Sequence, residues 1–265
     1  LTFDLTVTSL FVPLVSGGSI VVYPETGGPA DTAVQQVFAD DAVDIVKLTP
    51  SHLALLPDMD LSASRIRQLI LGGEDLTTAV AKRVHDRFGG RVTIHNEYGP
   101  TEATVGCIVH TYSPDDDVSP SVPSGRPIPD MRAWVLDDAG QPVPFGVPGD
   151  LWVAGAGVGR GYVGSPALTA ERFVANDHLG EPRMYPTGDV ARLRPSGTIE
   201  YLGRRDDQVK IRGARVELGE VEAALAAHPA VTAAAAKVWE REPVAPKEDL
   251  IFCARCGLAS DFPDV

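Results

Sequence analysis

The residues best suited to chemistry lie in one short stretch, residues 96–102, which combines an amide, two carboxylates, a phenol and a hydroxyl. The stretch follows the apolar run 92–94 and contains a Gly-Pro pair, so it predicts a turn at the end of a strand. Tyr98 offers a flat ring for a purine, Thr101 a hydroxyl for a phosphate oxygen, and Glu102 an oxygen ligand for Mg²⁺. Because open α/β sheets bind nucleotides at the carboxyl ends of strands, the stretch predicts a nucleotide site. The alternative is an ordinary turn with a core tyrosine and a solvated glutamate.

Three further features could contribute to the same site. Asp189, within residues 185–189, could accept hydrogen bonds from a ribose diol, and Arg204 carries several fixed donors for ribose or phosphate oxygens. The glycine turn at residues 72–76 would let the backbone approach a ligand closely. Each has a plain alternative: a turn aspartate, a surface salt bridge and a tight strand-to-helix connection. Only their order and spacing favour one shared site.

The elements that must position these residues can be predicted from periodicity and turn signals. Residues 1–112 alternate strand-like and helix-like segments, which predicts a largely parallel α/β layer. The predicted strands are 19–23, 45–48, 69–71 and 92–94, and the predicted helices begin near 31 and span 77–88.

The remainder of the chain has a different pattern of apolar, Gly and Pro residues. Residues 113–203 carry short β-like runs separated by Gly and Pro, which predicts an antiparallel, barrel-like β subdomain. Residues 204–238 predict a small α+β subdomain, with strands at 208–212 and 230–238 and a helix at 218–227. Residues 239–265 resemble a linker and a tail. The predicted fold class is therefore α/β with a β-rich and a small α+β subdomain.

Composition limits the partners. The net charge of −13 argues against nucleic acid and anionic membranes. No apolar run reaches the roughly 18 residues needed to span a bilayer, because Pro13 and a glycine pair interrupt residues 10–22. Three cysteines do not suggest a disulfide framework, which favours a cytoplasmic protein. The chain begins without Met and shows no signal peptide.

In this order, residues 96–102, 185–189 and 203–213 resemble the motifs of the adenylate-forming superfamily. The resemblance is greatest to the amino-acid adenylation domains of nonribosomal peptide synthetases, and it covers roughly residues 1–238. The glycine-rich segment 150–162 is also similar to a family motif, although Asp150 replaces the more usual Glu. The resemblance implies an incomplete adenylate-forming fold.

The resemblance also implies a reaction in two steps. A carboxylate attacks the α-phosphate of ATP, with Mg²⁺ present, and gives an acyl-adenylate and pyrophosphate. The thiol of a phosphopantetheinyl arm on a peptidyl carrier domain then takes the acyl group. Expected partners are thus an amino acid, the carrier domain and other synthetase domains.

By position in these motifs, the resemblance implies a role for particular residues of this chain. Thr101, Glu102 and Lys210 would be catalytic, with Glu102 holding Mg²⁺, and Asp206 would be the hinge of the small subdomain. Nucleotide contacts would come from Gly73, Glu74, Asn96, Tyr98, Gly99, Thr101, Asp189, Tyr201 and Arg204.

The same resemblance places an amino-acid pocket. Its lining would be Asp4, Leu5, Thr8, Lys47, Ile70, Gly72, Glu97, Val105 and Gly106. Asp4 would take the substrate's ammonium group. Lys47 lies in a strand predicted to be buried, where a charge is costly unless paired, and Glu97 could pair with it across the pocket.

A neutral side chain with one acceptor and one donor suits such a pair. Lys47 could donate to the carbonyl of a carboxamide and Glu97 could accept from its NH₂ group. The pocket also resembles that of family members that load asparagine, which is the predicted substrate. Aspartate is the competing choice, and an edge-strand Lys47 in solvent is the structural alternative.

Two family features have no counterpart in this sequence: the phosphate loop expected before residue 1 and a lysine expected near the end of the small subdomain. These gaps predict a piece of a larger protein with little activity alone. In the tail, Cys253 and Cys256 have the spacing of half a zinc site, although two incidental thiols explain them equally well. An acyl- or aryl-CoA ligase and a degenerate, non-catalytic scaffold domain remain alternatives to amino-acid activation.

Overall fold

The computed structural model describes residues 4–23, 31–54, 56, 58–206, 208–211, 214–228, 230–231 and 233–238. The chain divides into two compact units, and the division falls between Arg205 and Asp206. This division falls two residues beyond the boundary expected at 203/204, and the four-segment organisation stays a prediction. Among the described residues, no helix is both long and apolar enough to cross a membrane.

The first unit begins with a five-stranded mixed sheet in the order β1-β2-β3-β4-β5. Strands β1, β2 and β3 are parallel, as predicted, whereas β3, β4 and β5 pair antiparallel. The short turn after β3 explains the change, because a parallel partner would need a long crossover. The elements are α1 (Thr6–Ser16), α2 (Asp31–Asp40), β1 (Ile45–Leu48), α3 (Pro50–Ala54), β2 (Gln68–Gly72), α4 (Thr78–Arg87), β3 (Thr93–Tyr98), β4 (Ile108–Thr111) and β5 (Arg126–Pro127).

The two faces of this sheet carry different kinds of side chains. One face carries Val46, Leu69 and Ile94, which are buried in the same core as helix α4. Because side chains alternate along a strand, Lys47 and Ile70 point to the opposite face, as does Glu97. The register of the parallel strands therefore assembles a polar face on a well-packed layer.

The second part of the first unit is an antiparallel sheet in the order β10-β9-β7-β6, with β8 paired to β9. Over the described residues this sheet does not close into a barrel, although an antiparallel bridge between Gly125 and Ile199 joins β10 to the chain just before β5. Strands β6 and β10 stand at the two ends of the order. The elements are β6 (Met131–Leu136), β7 (Gly149–Gly155), α5 (Pro166–Arg172), β8 (Val174–Asn176), β9 (Glu181–Leu193) and β10 (Ile199–Arg204).

Strand β9 is much longer than the sequence suggested. It runs through residues 185–189, so Asp189 lies inside a strand and is not a turn aspartate. Between Pro186 and Val190 the register with β7 shifts, and Gly188 has a φ of 78°. This bulge absorbs residues that look like turn signals, and Arg204 of β10 lies opposite Asp189 in the register.

The second unit contains a hairpin of β11 (Gln208–Ile211) and β12 (Ala214–Glu217), followed by α6 (Leu218–Ala226). Its first strand and its helix match the prediction closely. The described residues within 230–238 form no strand, which corrects that prediction. A run of alanines has little β propensity, which accounts for the difference.

Helix α1 exposes much of its apolar surface. The strand predicted at 19–23 is irregular, and no described strand lies beside it to pair its backbone groups. Val15 has a relative exposure of 84%. The other exposed apolar residues of this segment, which we call the α1 patch together with Val15, are Phe11, Val12, Leu14, Ile20, Val21 and Val22.

Candidate active site

The turn after β3 is strained and tightly closed. Residues Thr101–Ala103 form one turn of 3-10 helix, and Thr104 and Val105 then adopt left-handed backbone angles, with φ of 61° and 67°. A β-branched residue such as Val105 rarely adopts this conformation. Residues held in such rare backbone conformations are typical of functional sites. A Cβ atom on Gly99 would lie 1.6 Å from the carbonyl oxygen of Val105, so only glycine fits.

Four of the predicted nucleotide residues meet beside this turn. The hydroxyl of Tyr98 donates a hydrogen bond to Asp189, and Nη1 of Arg204 donates to the other carboxylate oxygen at 2.7 Å. The Tyr201 ring lies 6.5 Å from that of Tyr98, centroid to centroid. Burial, reinforced by the charge of Asp189, raises the pKa of Tyr98 well above its ordinary value, so the phenol remains a donor. The strands β3, β9 and β10 supply this cluster.

Glu102 is held by a residue to which the sequence analysis gave no role. The hydroxyl of Tyr162 donates to Oε1 of Glu102 at 2.8 Å, and the backbone N–H of Gly159 donates to its carbonyl oxygen at 2.8 Å. Burial raises the pKa of Tyr162, and hydrogen bonds with Tyr185 and Glu102 raise it further. Tyr162 therefore stays protonated and can donate. The partners are 60 residues apart, and no local pattern in the sequence links them.

At the other side of the turn, Thr101 contacts the start of the described chain. Its hydroxyl donates a hydrogen bond to the carboxylate of Asp4. Leu5 is buried and packs near Gly72, where a Cβ atom would lie 2.9 Å from the carbonyl oxygen of Glu97. The predicted ammonium ligand and the predicted phosphate ligand thus touch each other.

Lys47 and Glu97 form an ion pair, with side chains only 5% and 15% exposed. The ammonium group of Lys47 also donates to Oγ1 of Thr8 at 2.6 Å. Although β1 is an edge strand, Lys47 does not point into solvent, so that alternative is wrong. A Cβ atom on Gly106 would lie 2.1 Å from Oε1 of Glu97, and Ile70 is the register partner of Lys47. The structure therefore gathers most of the predicted pocket around one buried ion pair.

Two predicted nucleotide residues are engaged with the protein itself. Asn96 is buried and donates to the carbonyl oxygens of Val122 and Pro123 at 3.1 and 2.9 Å. Glu74 accepts a hydrogen bond from the backbone N–H of Ser51 at 2.9 Å. These contacts tie residues 122–123 to β3 and the start of α3 to the turn after β2.

Gly73 follows β2 with a φ of 86°, a left-handed conformation that favours glycine.

Cys107 is buried, and burial raises its pKa to about 12. Its thiol therefore carries a proton at neutral pH and does not act as a nucleophile.

The remaining predicted residues lie elsewhere. Asp206 and Lys210 belong to the second unit, where Asp206 accepts from the backbone N–H of Gln208 at 3.3 Å. Cys253 and Cys256 lie outside the described residues.

The described residues contain no group of three or more His, Cys, Asp or Glu side chains arranged for a metal ion. Mg²⁺ that arrives with a nucleotide commonly uses only one or two carboxylates besides phosphate oxygens and water. Glu102 borders the turn beside Thr101 and fits that pattern.

Comparison with known proteins gives consistent findings. A family model described as "AMP-binding enzyme" matches residues 1–163. The chain is 49% identical over 256 residues to bacitracin synthase 3 of Bacillus licheniformis, an alignment that covers 96% of this chain and 4% of that protein. It is 46% identical over 242 residues to tyrocidine synthase 3 of Brevibacillus parabrevis, covering 91% and 4%.

Solved structures share the fold. An NRPS protein containing adenylation and PCP domains, PA1221 in its holo form, superposes with a TM-score of 0.81 at 31% identity, over 91% of this chain and 42% of that one. The Vibrio cholerae adenylation domain AlmE, in complex with glycyl-adenosine-5'-phosphate, gives a TM-score of 0.81 at 26% identity, over 91% and 46%. The chain therefore spans less than half of these solved chains and a small fraction of the synthases.

Proposed function

Because this chain belongs to the AMP-binding enzymes, the family of adenylate-forming ligases, we propose that it activates an amino acid with ATP. The observation that carries the proposal is the hydrogen bond between Thr101 and Asp4. It joins a carboxylate that can bind an ammonium group to a hydroxyl that can bind a phosphate oxygen. An amino acid seated on Asp4 would therefore bring its carboxylate close to the α-phosphate.

In the proposed step, a carboxylate oxygen of the amino acid attacks the α-phosphorus. A new P–O bond forms, the bond to the bridging oxygen breaks, and pyrophosphate leaves with the electron pair. Thr101 donates a hydrogen bond to an α-phosphate oxygen, and Asp4 fixes the ammonium group. The protein's contribution is chiefly position and electrostatic complementarity.

The nucleoside would bind at the Tyr98 cluster. Asp189 accepts hydrogen bonds from the ribose hydroxyls, and Arg204 and Tyr98 hold its carboxylate in place. The rings of Tyr98 and Tyr201 supply apolar surface for adenine. The support for this assignment is that three strands converge on one buried carboxylate.

Mg²⁺ would be held by Glu102 and would neutralise charge on the phosphates. The hydroxyl of Tyr162 holds that carboxylate through a hydrogen bond, and the N–H of Gly159 holds the backbone carbonyl oxygen of the same residue.

For the amino acid we propose asparagine. The ammonium group of Lys47 donates to the carboxamide oxygen, and the carboxylate of Glu97 accepts from the carboxamide nitrogen. Aspartate would place a second anion beside Glu97, which is unfavourable in a buried site. The walls of the pocket would be Leu5, Ile70, Gly72, Val105 and Gly106. Because Gly72 and Gly106 have no side chain, they would leave space for the ligand.

A second step would transfer the aminoacyl group to the phosphopantetheinyl thiol of a carrier domain. The C–S bond forms, the bond to AMP breaks, and the thiol proton is released. Lys210 and the hinge residue Asp206 would serve this step. The support is indirect: a structural neighbour contains a PCP domain in addition to its adenylation domain.

Amino-acid-dependent exchange of pyrophosphate into ATP tests the proposal in the full-length protein that carries this sequence. Asparagine should give the highest rate, and Asp4→Asn should abolish the exchange. Higher exchange with aspartate than with asparagine would refute the argument from Glu97. Exchange with acids that lack an ammonium group would favour a CoA ligase, and no exchange with any acid would favour a scaffold.

A further inference from the structure

Tyr162 occupies an unusual position between two parts of the first unit. Its hydroxyl donates to the carboxylate of Glu102 at 2.8 Å and lies 3.4 Å from the hydroxyl of Tyr185. Tyr185 is almost completely buried, with 1% of its surface exposed. Tyr162 therefore offers Glu102 a neutral donor on a rigid ring, backed by the core of the second sheet.

The ring of Tyr162 is itself held firmly. It packs edge-on against Phe173 at 5.3 Å, centroid to centroid, and its backbone N–H donates to Oγ1 of Thr169 at 2.9 Å. At Gly161, φ is 137° and a Cβ atom would lie 2.3 Å from Thr169. Helix α5 therefore fixes the loop, and the loop fixes the phenol.

The same loop also holds the backbone of Glu102. The N–H of Gly159 donates to the carbonyl oxygen of Glu102 at 2.8 Å, while Oγ1 of Thr104 donates to the carbonyl oxygen of Gly157 at 2.6 Å. Both ends of Glu102 are thus tied to residues 157–162. A carboxylate held at both ends has fewer orientations to lose when it binds a cation.

We propose that Tyr162 is a positioning residue for the cation-binding function of Glu102: its hydroxyl orients the carboxylate that meets Mg²⁺. This inference rests on the proposed function, in which Glu102 holds the ion. Tyr162 does not touch the reacting atoms, and it acts only through Glu102. The effect of its hydroxyl should therefore fall on the Mg²⁺ requirement and not on the recognition of the amino acid.

The test is Tyr162→Phe, which removes the hydroxyl and keeps the ring against Phe173. In the full-length protein, calorimetric titration of ATP at a series of Mg²⁺ concentrations should show the midpoint for Mg²⁺ shifted upward. A shift of about tenfold or more is expected for one lost hydrogen bond to a charged group. In pyrophosphate exchange, the KM for the amino acid should stay within about twofold, a split that general loss of structure would not produce.

Two further variants make the outcome decisive. Tyr112→Phe alters a buried tyrosine in the core of the mixed sheet and should leave the Mg²⁺ midpoint unchanged. Glu102→Gln should shift that midpoint more than Tyr162→Phe does. If Glu102→Gln has no effect, the proposed role of Glu102 fails. If Glu102→Gln shifts the midpoint and Tyr162→Phe does not, the inference about Tyr162 alone is overturned.

Discussion

At the scale of single residues, the ion pair of Lys47 and Glu97 is the most consequential contact. Both side chains are almost removed from solvent, and Thr8 satisfies a further donor of the ammonium group. A buried pair adds little net stability, but the loss of one partner leaves an uncompensated charge. In the proposed function this pair selects the ligand, and its integrity matters for folding as well.

The first prediction concerns Lys47→Met. Removal of the ammonium group should lower the free energy of unfolding by about 3 kcal/mol, because Glu97 would stay buried without its cation. Urea denaturation of the variant and the parent chain would measure the difference. The matched control is Lys82→Met, which breaks an exposed pair with Asp86 on α4 and should change the denaturation midpoint little. Equal effects of the two substitutions would contradict the argument.

The sequence revealed some of these residue contacts and not others. The expectation that a lysine in a buried strand needs an anion correctly paired Lys47 with Glu97. The contact of Tyr162 with Glu102 had no such signal, because a tyrosine is at ease in a core without a charged partner. A buried charge needs a partner of opposite charge, so the pair can be predicted from the sequence. A buried phenol needs no charged partner, so its contact with a carboxylate cannot be predicted in this way.

At the scale of elements, the junction of β9 and β10 carries most of the Tyr98 cluster. Asp189 and Arg204 face each other across it, and Arg192 pairs in the same register with Glu200. Glu200 also contacts Arg194, and the hydrogen bonds from both guanidinium groups lower its pKa to about 2. The junction thus contains a second ion network, a short distance along the strands from the first.

The second prediction follows from that pKa. Because the folded pKa of Glu200 lies below its ordinary value of 4.5, its stabilising effect is present above pH 4.5 and is lost as the pH falls toward 2. At pH 7, Glu200→Gln should lower the free energy of unfolding by about 1 kcal/mol, a value reduced for the partial exposure of the arginines.

Thermal unfolding between pH 2 and pH 7 would test this expectation. The difference between the parent chain and Glu200→Gln should shrink as the solution becomes acidic. Glu171→Gln, at an exposed position on α5, is the control and should follow the parent at every pH. A constant difference across the whole pH range would count against the ion network.

Element boundaries were predicted well where a single rule applied. Helix α4 begins after Thr77, whose side chain accepts from the N–H of Val80 at 3.3 Å, as an N-cap should. Strand β9 was missed because Pro186 and Gly188 resemble turn residues, and only the tertiary pairing reveals the bulge that absorbs them. The prediction of a strand at residues 19–23 failed for the opposite reason. Their composition suits a strand, but a strand also requires a neighbouring strand with which to pair.

At the scale of the whole molecule, the exposed α1 patch stands apart. Apolar surfaces of this kind commonly mark contacts with other protein. The rest of the first unit buries most of its large apolar residues in the cores of the two sheets, and its exposed ones, such as Val118 and Val163, are spread along residues 45–202. The fold class and the order of the layers could be predicted from the alternation of strand-like and helix-like segments and from the spacing of Gly and Pro. The open second sheet could not, because strand order depends on contacts between distant residues.

The third prediction is that the 265-residue chain associates with itself through the α1 patch. Sedimentation velocity at increasing concentration should show a rising mean mass, and Val15→Glu should suppress the rise. Val15 is 84% exposed, so the new charge should cost the fold little. Val163→Glu, at an exposed position far along the chain, is the matched control and should not suppress it. A chain that stays monomeric at all concentrations would disprove the idea.

In the proposed function, the hydrogen bond from Thr101 to Asp4 couples the binding of the amino acid to the binding of ATP. An ammonium group that arrives at Asp4 competes for its carboxylate and leaves the hydroxyl available to a phosphate, and a phosphate has the converse effect. Such synergy must be reciprocal, so ATP should tighten amino-acid binding by the same factor by which the amino acid tightens ATP binding. Titrations in both orders would give that factor twice, and Thr101→Val should bring it to one.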